Sequence, residues 1–293
     1  MNPKERPRTD IRALTWNLFH GRDHPPGPEL YTWRARFLRR TERNATHAQV
    51  NRRLLDEFAE LLAAAGWSVC FLQEVPPAWA GPLARRCGAE AHSVLTSRNQ
   101  LAPLRRALAD WNPDLMQSWE GGSDLTLVRP PWRIAARDSF LLNPFPRRGL
   151  RERRRLALTA LASGDAELCV GNLHATAGDQ AQAEADVRRG AEHSVAFARG
   201  RPLVLGGDFN LRPRASAIFG ELEREFALAA PAADDAIDHL LARGLGIVER
   251  PHRWPAERRE VPLAEPGSPP VRLRLSDHSP VEAAFRVPES TVR

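Results

Sequence analysis

In this 293-residue chain, carboxylate, amide and imidazole side chains recur in one kind of place, at or just past the end of a short apolar run. Asn17 follows Leu14-Thr15-Trp16, and Glu74 follows Phe71-Leu72-Gln73. His174 follows Val170-Gly171-Asn172-Leu173. Asp208 and Asn210 follow Val204-Leu205-Gly206-Gly207, while Asp277 and His278 lie just before Pro280-Val281. Glu74, Asp208 and Asp277 are hard oxygen donors, and Asn17 and Asn210 add amide carbonyls. Such a set suits Mg²⁺, which takes oxygen ligands and keeps several waters, with Mn²⁺ as the alternative. The chain holds neither a thiolate set nor an HExxH string for zinc. The histidines then remain for proton transfer, because imidazole titrates near neutrality.

The runs that must position these groups read as strands. Ile11–Trp16, Val69–Leu72, His92–Thr96, Leu125–Val128, Leu156–Ala162, Glu167–Leu173, Pro202–Leu205, Ile237–Leu241 and Val281–Phe285 are short, apolar and β-prone. Helices are predicted over Asn51–Ala65, with Leu54, Leu55, Phe58, Leu61 and Leu62 on one face, over Trp79–Cys87, and over the Ala-rich stretch Gly178–Arg199. Strands alternate with helices only in part, which points to mixed sheets rather than a parallel barrel. Strand ends gathered at one sheet edge form a ligand crevice. Trp16-Asn17-Leu18 and Phe209-Asn210-Leu211 each close an apolar strand, a faint echo of a duplicated core. Pro251–Pro270 reads as one long loop, the kind that usually carries function.

Composition bounds the class. With 42% hydrophobic and 27% charged residues, the chain has the balance of a soluble globular protein. No apolar run reaches the roughly 18 residues needed to cross a bilayer, and the charged start, Met1–Asp10, lacks the apolar core of a secretory signal. Cys70, Cys87 and Cys169 are isolated, which fits a reducing, cytoplasmic setting. Net charge is +6, and Lys4 is the single lysine, so arginine supplies nearly all the positive charge. That surplus fits either a polyanionic ligand or a coding bias. Nothing in the chain marks a protein partner.

The strings Thr15-Trp16-Asn17, Gln73-Glu74-Val75, Asn172-Leu173-His174, Gly207-Asp208-Phe209-Asn210, Ile237-Asp238-His239 and Ser276-Asp277-His278-Ser279-Pro280-Val281 resemble, in order, the signatures of the endonuclease/exonuclease/phosphatase family. The resemblance runs from Thr15 to Val281. It implies a DNase I-like α/β fold, a four-layer α/β/β/α sandwich of two mixed sheets, in one domain with a core of about residues 11–287. It implies Glu74 as the main Mg²⁺ ligand, with Asn17 and Asp277 supporting the same metal directly or through water. His278, held by Asp238, becomes a general base or a phosphate-orienting group. Asp208 and Asn210 place the attacking water and the phosphoryl oxygens. His174 stabilises developing charge or protonates the leaving oxygen. Whether Asp208 or His278 takes the water's proton stays open.

Phosphoester hydrolysis needs charge neutralisation, an oriented water and an acid for the leaving group, and this set supplies all three. The expected activity is hydrolysis of a phosphodiester, in nucleic acid. Two alternatives stand beside it: a small-molecule or lipid-headgroup phosphatase, of inositol-phosphate or sphingomyelinase type, and a non-catalytic phosphate-binding protein. Of the basic run Arg147, Arg148, Arg151, Arg153, Arg154 and Arg155, a late member, Arg155, is the candidate phosphate contact. Trp254, in the long Pro-rich loop, is the candidate aromatic contact. His20 and His24 read as loop residues facing the substrate, since Gly21 and Pro25 break a helix there. The segment Leu18–Asn51 is longer than the family pattern leads one to expect. Tyr31 lies in the wrong region for the tyrosine of abasic-site endonucleases, which argues against that activity.

Overall fold

A computed structural model describes residues 10–97, 101–117, 121–143, 154–229, 232–264 and 269–288. Strand β1 (Asp10–Asn17) leads into α1 (Trp33–Leu38), the small ribbon β2 (Glu42–Arg43) and β3 (Ala48–Gln49), and helix α2 (Leu55–Ala64). Next come β4 (Val69–Val75), α3 (Ala80–Cys87), β5 (Glu90–Ser97), α4 (Ala102–Trp111), α5 (Pro113–Met116) and β6 (Gly122–Val128). The remainder runs through β7 (Arg133–Leu141), β8 (Arg155–Ser163), β9 (Ala166–His174), α6 (Gln180–Ala198) and β10 (Leu203–Asp208). It ends with α7 (Ile218–Phe226), β11 (Asp238–Arg243), β12 (Gly246–Arg253), β13 (Glu260–Leu263), β14 (Val271–Arg274) and β15 (Val281–Arg286).

Two mixed sheets form the centre. Their strand orders are β12-β15-β1-β4-β6-β5 and β11-β10-β9-β8-β7. Each has one parallel pair at its heart, β1 with β4 and β9 with β10, flanked by antiparallel partners. The echo between Asn17 and Asn210 thus has a structural counterpart: β1 and β10 occupy matching places in their sheets. Between the sheets lies an apolar layer that includes Val69, Phe71, Val170, Val204, Leu240 and Phe285. The outer face of the first sheet packs on α2 and α3 through Phe58, Leu62 and Leu83. The second packs on α6 and α7 through Val187, Ala191 and Leu222. The result is the expected α/β/β/α order, because the central strands, β4, β6, β9 and β10 among them, are buried on both faces and the helices are apolar on one.

Local chemistry explains the boundaries. Helix α3 stops at Gly88, whose φ of 61° lets the chain turn left-handed. Asp179 caps α6 by accepting from the Gln182 N–H at 3.1 Å. Strand β7 and helices α4 and α7 are absent from the predicted elements. Strand β7 lies at a sheet edge and is largely exposed, so its sequence carries little apolar alternation. The long loop predicted over Pro251–Pro270 is a correction: β12 extends through Arg253, and Val261 pairs with Leu273 in a β13–β14 ribbon. Prolines at 255, 262, 269 and 270 masked that pairing.

Candidate active site

The site is built where β1, β4, β9 and β10 end. Asn17, the last residue of β1, donates from Nδ2 to Asp208 Oδ2 at 3.0 Å, and its Oδ1 accepts the Phe19 N–H at 2.9 Å. A carboxylate only accepts and a backbone N–H only donates, so the amide orientation is fixed. One lone pair of the Asn17 oxygen is therefore already engaged, and its nearest job is to hold Asp208. Gly207 lets β10 approach β9: its φ is 145°, and a Cβ there would sit 1.8 Å from the Leu173 carbonyl oxygen. Asp208 is thereby delivered beside His174, whose Nε2 lies 3.5 Å from Asp208 Oδ2 and 3.9 Å from Glu74 Oε1.

Glu74 sits at a bulge in β4, where the pairing with β6 slips between Leu72 and Val75. Its φ of 51° turns the side chain out of the strand alternation and into the crevice. His20 Nε2 lies 3.3 Å from Glu74 Oε2. The loop of Asp277 and His278 is tied down from several sides. Ser276 Oγ donates to the Asn17 carbonyl at 2.6 Å and accepts the His278 N–H at 3.0 Å. Trp16 Nε1 donates to the His278 carbonyl at 2.9 Å. The Arg259 guanidinium donates to the carbonyls of Leu275 and Ser276 and to Ser279 Oγ.

His278 Nδ1 meets Asp238 Oδ2 at 2.8 Å, and its Nε2 lies 3.9 Å from both Asp208 Oδ2 and Asp277 Oδ1. Burial opposes a charge on His278, but the carboxylates of Asp238, Asp208 and Asp277 outweigh it and hold the imidazole well above its usual range. Burial pushes Asp208 up to about 7, with Asp238 adding to the rise, against the pull of His278 and Asn17. His174 goes the other way. Burial, then the nearby charges of Arg154, His278 and His20, hold it well below its ordinary value, so it stands neutral. Burial also opposes ionisation of Glu74, yet His20, Arg154, His278 and Arg22 outweigh it and keep the carboxyl ionised.

Asn17, Glu74, His174, Asp208, Asp238, Asp277 and His278 are thus brought together. Asn210 borders them: its N–H donates to Asp208 Oδ1 at 3.0 Å, and its Nδ2 donates to the Ala175 carbonyl at 3.1 Å. Two candidates are corrected. Arg155 turns toward the neighbouring strand and donates to Ser139 Oγ at 3.2 Å, whereas the charge of Arg154 bears on Glu74 and His174. Trp254 is 3% exposed, part of the core under the first sheet, with the Arg258 guanidinium 3.8 Å over its ring. It packs rather than faces a ligand. Of the basic run, Arg147, Arg148, Arg151 and Arg153 lie outside the described residues.

Two residues escaped the sequence reading as site members. His20 was placed only in a facing loop, because its contact with Glu74 depends on two consecutive left-handed residues, Phe19 and His20. Asp124 lies in β6 across from the Glu74 bulge, fully buried, and both its carboxylate oxygens lack a hydrogen-bond partner among the described residues. Its signal is a carboxylate directly before the apolar run Leu125–Val128, at a position that the structure places inside β6.

The donor set fits a divalent cation. Asp208, Asp238 and His278 offer ligand atoms within 4.8 Å of one another, Asp277 Oδ1 lies 3.9 Å from His278 Nε2, Glu74 Oε1 lies 3.9 Å from His174 Nε2, and Asp238 Oδ1 is buried with no hydrogen-bond partner among the described residues. Among the described residues no helix is long and apolar enough to cross a membrane. All three cysteines are buried thiols.

Solved structures share the fold. An endonuclease/exonuclease/phosphatase family protein from Bacteroides thetaiotaomicron superposes with a TM-score of 0.63 at 14% identity, covering 96% of each chain. The mannosyl-6-phosphatase Bt3783 of Bacteroides thetaiotaomicron VPI-5482 gives 0.60 at 12% identity, covering 94% of this chain and 99% of its own. The human Nocturnin catalytic domain with bound sulfate gives 0.58 at 16% identity, covering 96% of each. No curated protein sequence matches the chain. The sequence profile described as Endonuclease/Exonuclease/phosphatase family matches residues 14–278, and the chain belongs to that family.

Proposed function

We propose that the chain is a divalent-metal-dependent phosphoesterase, with Mg²⁺ as its ion and a phosphodiester of nucleic acid as its substrate class. The observation that carries this reading is the chain of contacts Asp238–His278–Asp208–His174–Glu74, which lines acid, base and cation-binding groups along one crevice. Glu74 and Asp277 would hold the cation, with Asn17 supporting it through water. When bound, the cation neutralises phosphoryl oxygens and lowers the pKa of a water.

The residues divide the remaining work by their charge states. Asp208, pushed up to about 7, is the group suited to take the water's proton near neutrality. His278, kept cationic by Asp238, grips a phosphoryl oxygen and sets its orientation. His174 is neutral, so it acts as a hydrogen-bond donor to developing negative charge rather than as a strong acid. Asn210 and Asn17 fix Asp208. The crevice draws on β1 and on the loop before β15, which suits a single catalytic domain.

A second reading has its own support. Trp33, Phe37 and Trp111 are 67%, 61% and 58% exposed, and Leu101 and Leu104, at the start of α4, are exposed as well. Arg39 lies 5.8 Å over the Trp111 ring, joining α1 to α4. An apolar patch of this kind flanked by arginines favours a lipid-headgroup phosphodiester. The Bacteroides mannosyl-6-phosphatase adds a sugar phosphate to the classes worth assaying.

The test is hydrolysis of single- and double-stranded DNA, RNA, sphingomyelin, an inositol phosphate and mannose 6-phosphate, with Mg²⁺ or with chelator, in wild type and His278→Ala. Metal-dependent turnover that the variant loses is the expected result. Turnover that survives both the chelator and the substitution would sink the reading.

A further inference from the structure

A fully buried carboxylate without a hydrogen-bond partner is costly, and native folds keep one only where something else uses it. Asp124 is such a group: it is 0% exposed, and neither Oδ1 nor Oδ2 has a hydrogen-bond partner among the described residues. Strand alternation shows where it points. Leu125 and Leu127 face the helices outside the first sheet, in the cluster with Phe58 and Leu83. Val128 faces the second sheet. Asp124 shares the face of Val128, so its side chain enters the seam between the sheets. That seam is polar at this level: Gln73 Nε2 donates to Asn172 Oδ1 at 2.8 Å.

Register fixes the remaining coordinate. Strand β6 pairs with β4 at Leu72↔Leu125 and Val75↔Ser123, so two residues of β4, Gln73 and Glu74, oppose Asp124 alone. The bulge that turns Glu74 into the crevice is therefore the bulge that faces Asp124. Arg154, Glu74 and Asp208 are the charged groups that act on it. Asp124 and Glu74 thus stand at facing positions of β6 and β4, two carboxyl groups on either side of one bulge. A hard divalent cation is the ligand that suits oxygens of this kind.

We propose that Asp124 is a further carboxylate of the cation centre built on Glu74, holding the ion or its bound waters from the seam side. This rests on the reading that Glu74 carries the metal. It assigns Asp124 a job that neither packing nor the His278 chain explains, and it gives the centre more oxygen donors than Glu74 and Asp277 alone.

The experiment is Mn²⁺ binding to the full chain, followed by electron paramagnetic resonance of the free ion and by calorimetry. Wild type, Asp124→Asn, Asp124→Ser and Glu74→Gln are compared, and each is melted with and without Mn²⁺. Asp124→Asn is expected to weaken Mn²⁺ binding by about 10-fold or more, the range seen for groups that support metal ligands. Its metal-free melting temperature should stay close to that of wild type, because one buried polar group of the same shape replaces another, while the gain on adding Mn²⁺ should shrink. Asp124→Ser should behave alike if the asparagine variant does not fold. Wild-type Mn²⁺ affinity in the Asp124 variants, with loss in Glu74→Gln, overturns the inference and leaves the metal reading intact. Wild-type affinity in Glu74→Gln as well overturns the metal reading itself. Lower melting temperatures with unchanged affinity would show that Asp124 serves the fold through Arg154, and that also overturns the inference.

Discussion

Asn17 Nδ2 donates to Asp208 Oδ2 across 3.0 Å, joining the end of β1 in one sheet to the end of β10 in the other over 191 positions of sequence. A buried hydrogen bond to a charged acceptor contributes about 1.5–3 kcal/mol, and this one also sets where the carboxylate points. Asn17→Ala should leave the fold intact and cut kcat by about 10- to 100-fold, while KM moves little. Asn17→Asp should be worse, since it sets two carboxylates against each other. Steady-state kinetics beside circular dichroism decide the matter, and an alanine variant with wild-type kcat removes Asn17 from the mechanism.

The Asp238–His278 contact makes a separate prediction about protonation. His278 is held well above the ordinary imidazole range by Asp238, Asp208 and Asp277, against the effect of burial. Asp238→Asn removes the partner at 2.8 Å and should lower the His278 titration midpoint. Proton–nitrogen NMR of the imidazole, in metal-free protein, reads this directly. Turnover should fall roughly 10²- to 10⁴-fold, the usual scale for an acid–base or orienting group. An unshifted midpoint would show that the other carboxylates alone set the charge.

Much of this site was legible in the sequence because its residues end strands. Asn17, Glu74, His174, Asp208 and the Asp277-His278 pair each follow or precede an apolar run, and strand ends meet in space. Asp124 was hidden because it stands inside a strand, where a lone carboxylate reads as an oddity rather than a ligand. His20 was hidden because two left-handed residues, which no pattern announces, swing it onto Glu74. Trp254 misled for the opposite reason: the prolines around it suggested a loop, but Val261 pairs with Leu273 in a β-ribbon, and the ring is buried in the same core cluster as Leu273.

Gly207 is a place where backbone space, not a side chain, makes the site. A Cβ at Gly207 would fall 1.8 Å from the Leu173 carbonyl oxygen and 2.7 Å from its carbon, and the φ of 145° is one that other residues rarely adopt. Gly207→Ala must push β10 away from β9, moving Asp208 off His174. The expected cost is on the order of 3 kcal/mol or more, read as a lower urea midpoint at unchanged slope. Stability within about 0.5 kcal/mol of wild type would mean the two strands tolerate a wider spacing.

Away from the crevice, Asp23 predicts how stability follows pH. It is 0% exposed; Oδ2 accepts the Val50 N–H at 2.9 Å, and Oδ1 has no hydrogen-bond partner among the described residues. Burial, with Asp114 adding, pushes its carboxyl from 3.8 up to about 8, against the Val50 hydrogen bond. The folded chain thus binds this proton more tightly than the unfolded chain does. Between the unfolded and folded values the unfolded state has lost the proton and the native state keeps it, so stability falls as pH rises through that window. Below it both states are protonated, and above it both are ionised, so this contribution is flat at either end. The slope from one such proton approaches about 1.4 kcal/mol per pH unit. Asp23→Asn keeps an oxygen for Val50 and cannot ionise. It should match wild type near pH 4, exceed it increasingly toward pH 8, and show a flatter profile in urea titrations across that range. Parallel profiles for the two proteins would mean that Asp23 ionises in the native state as easily as in the unfolded one.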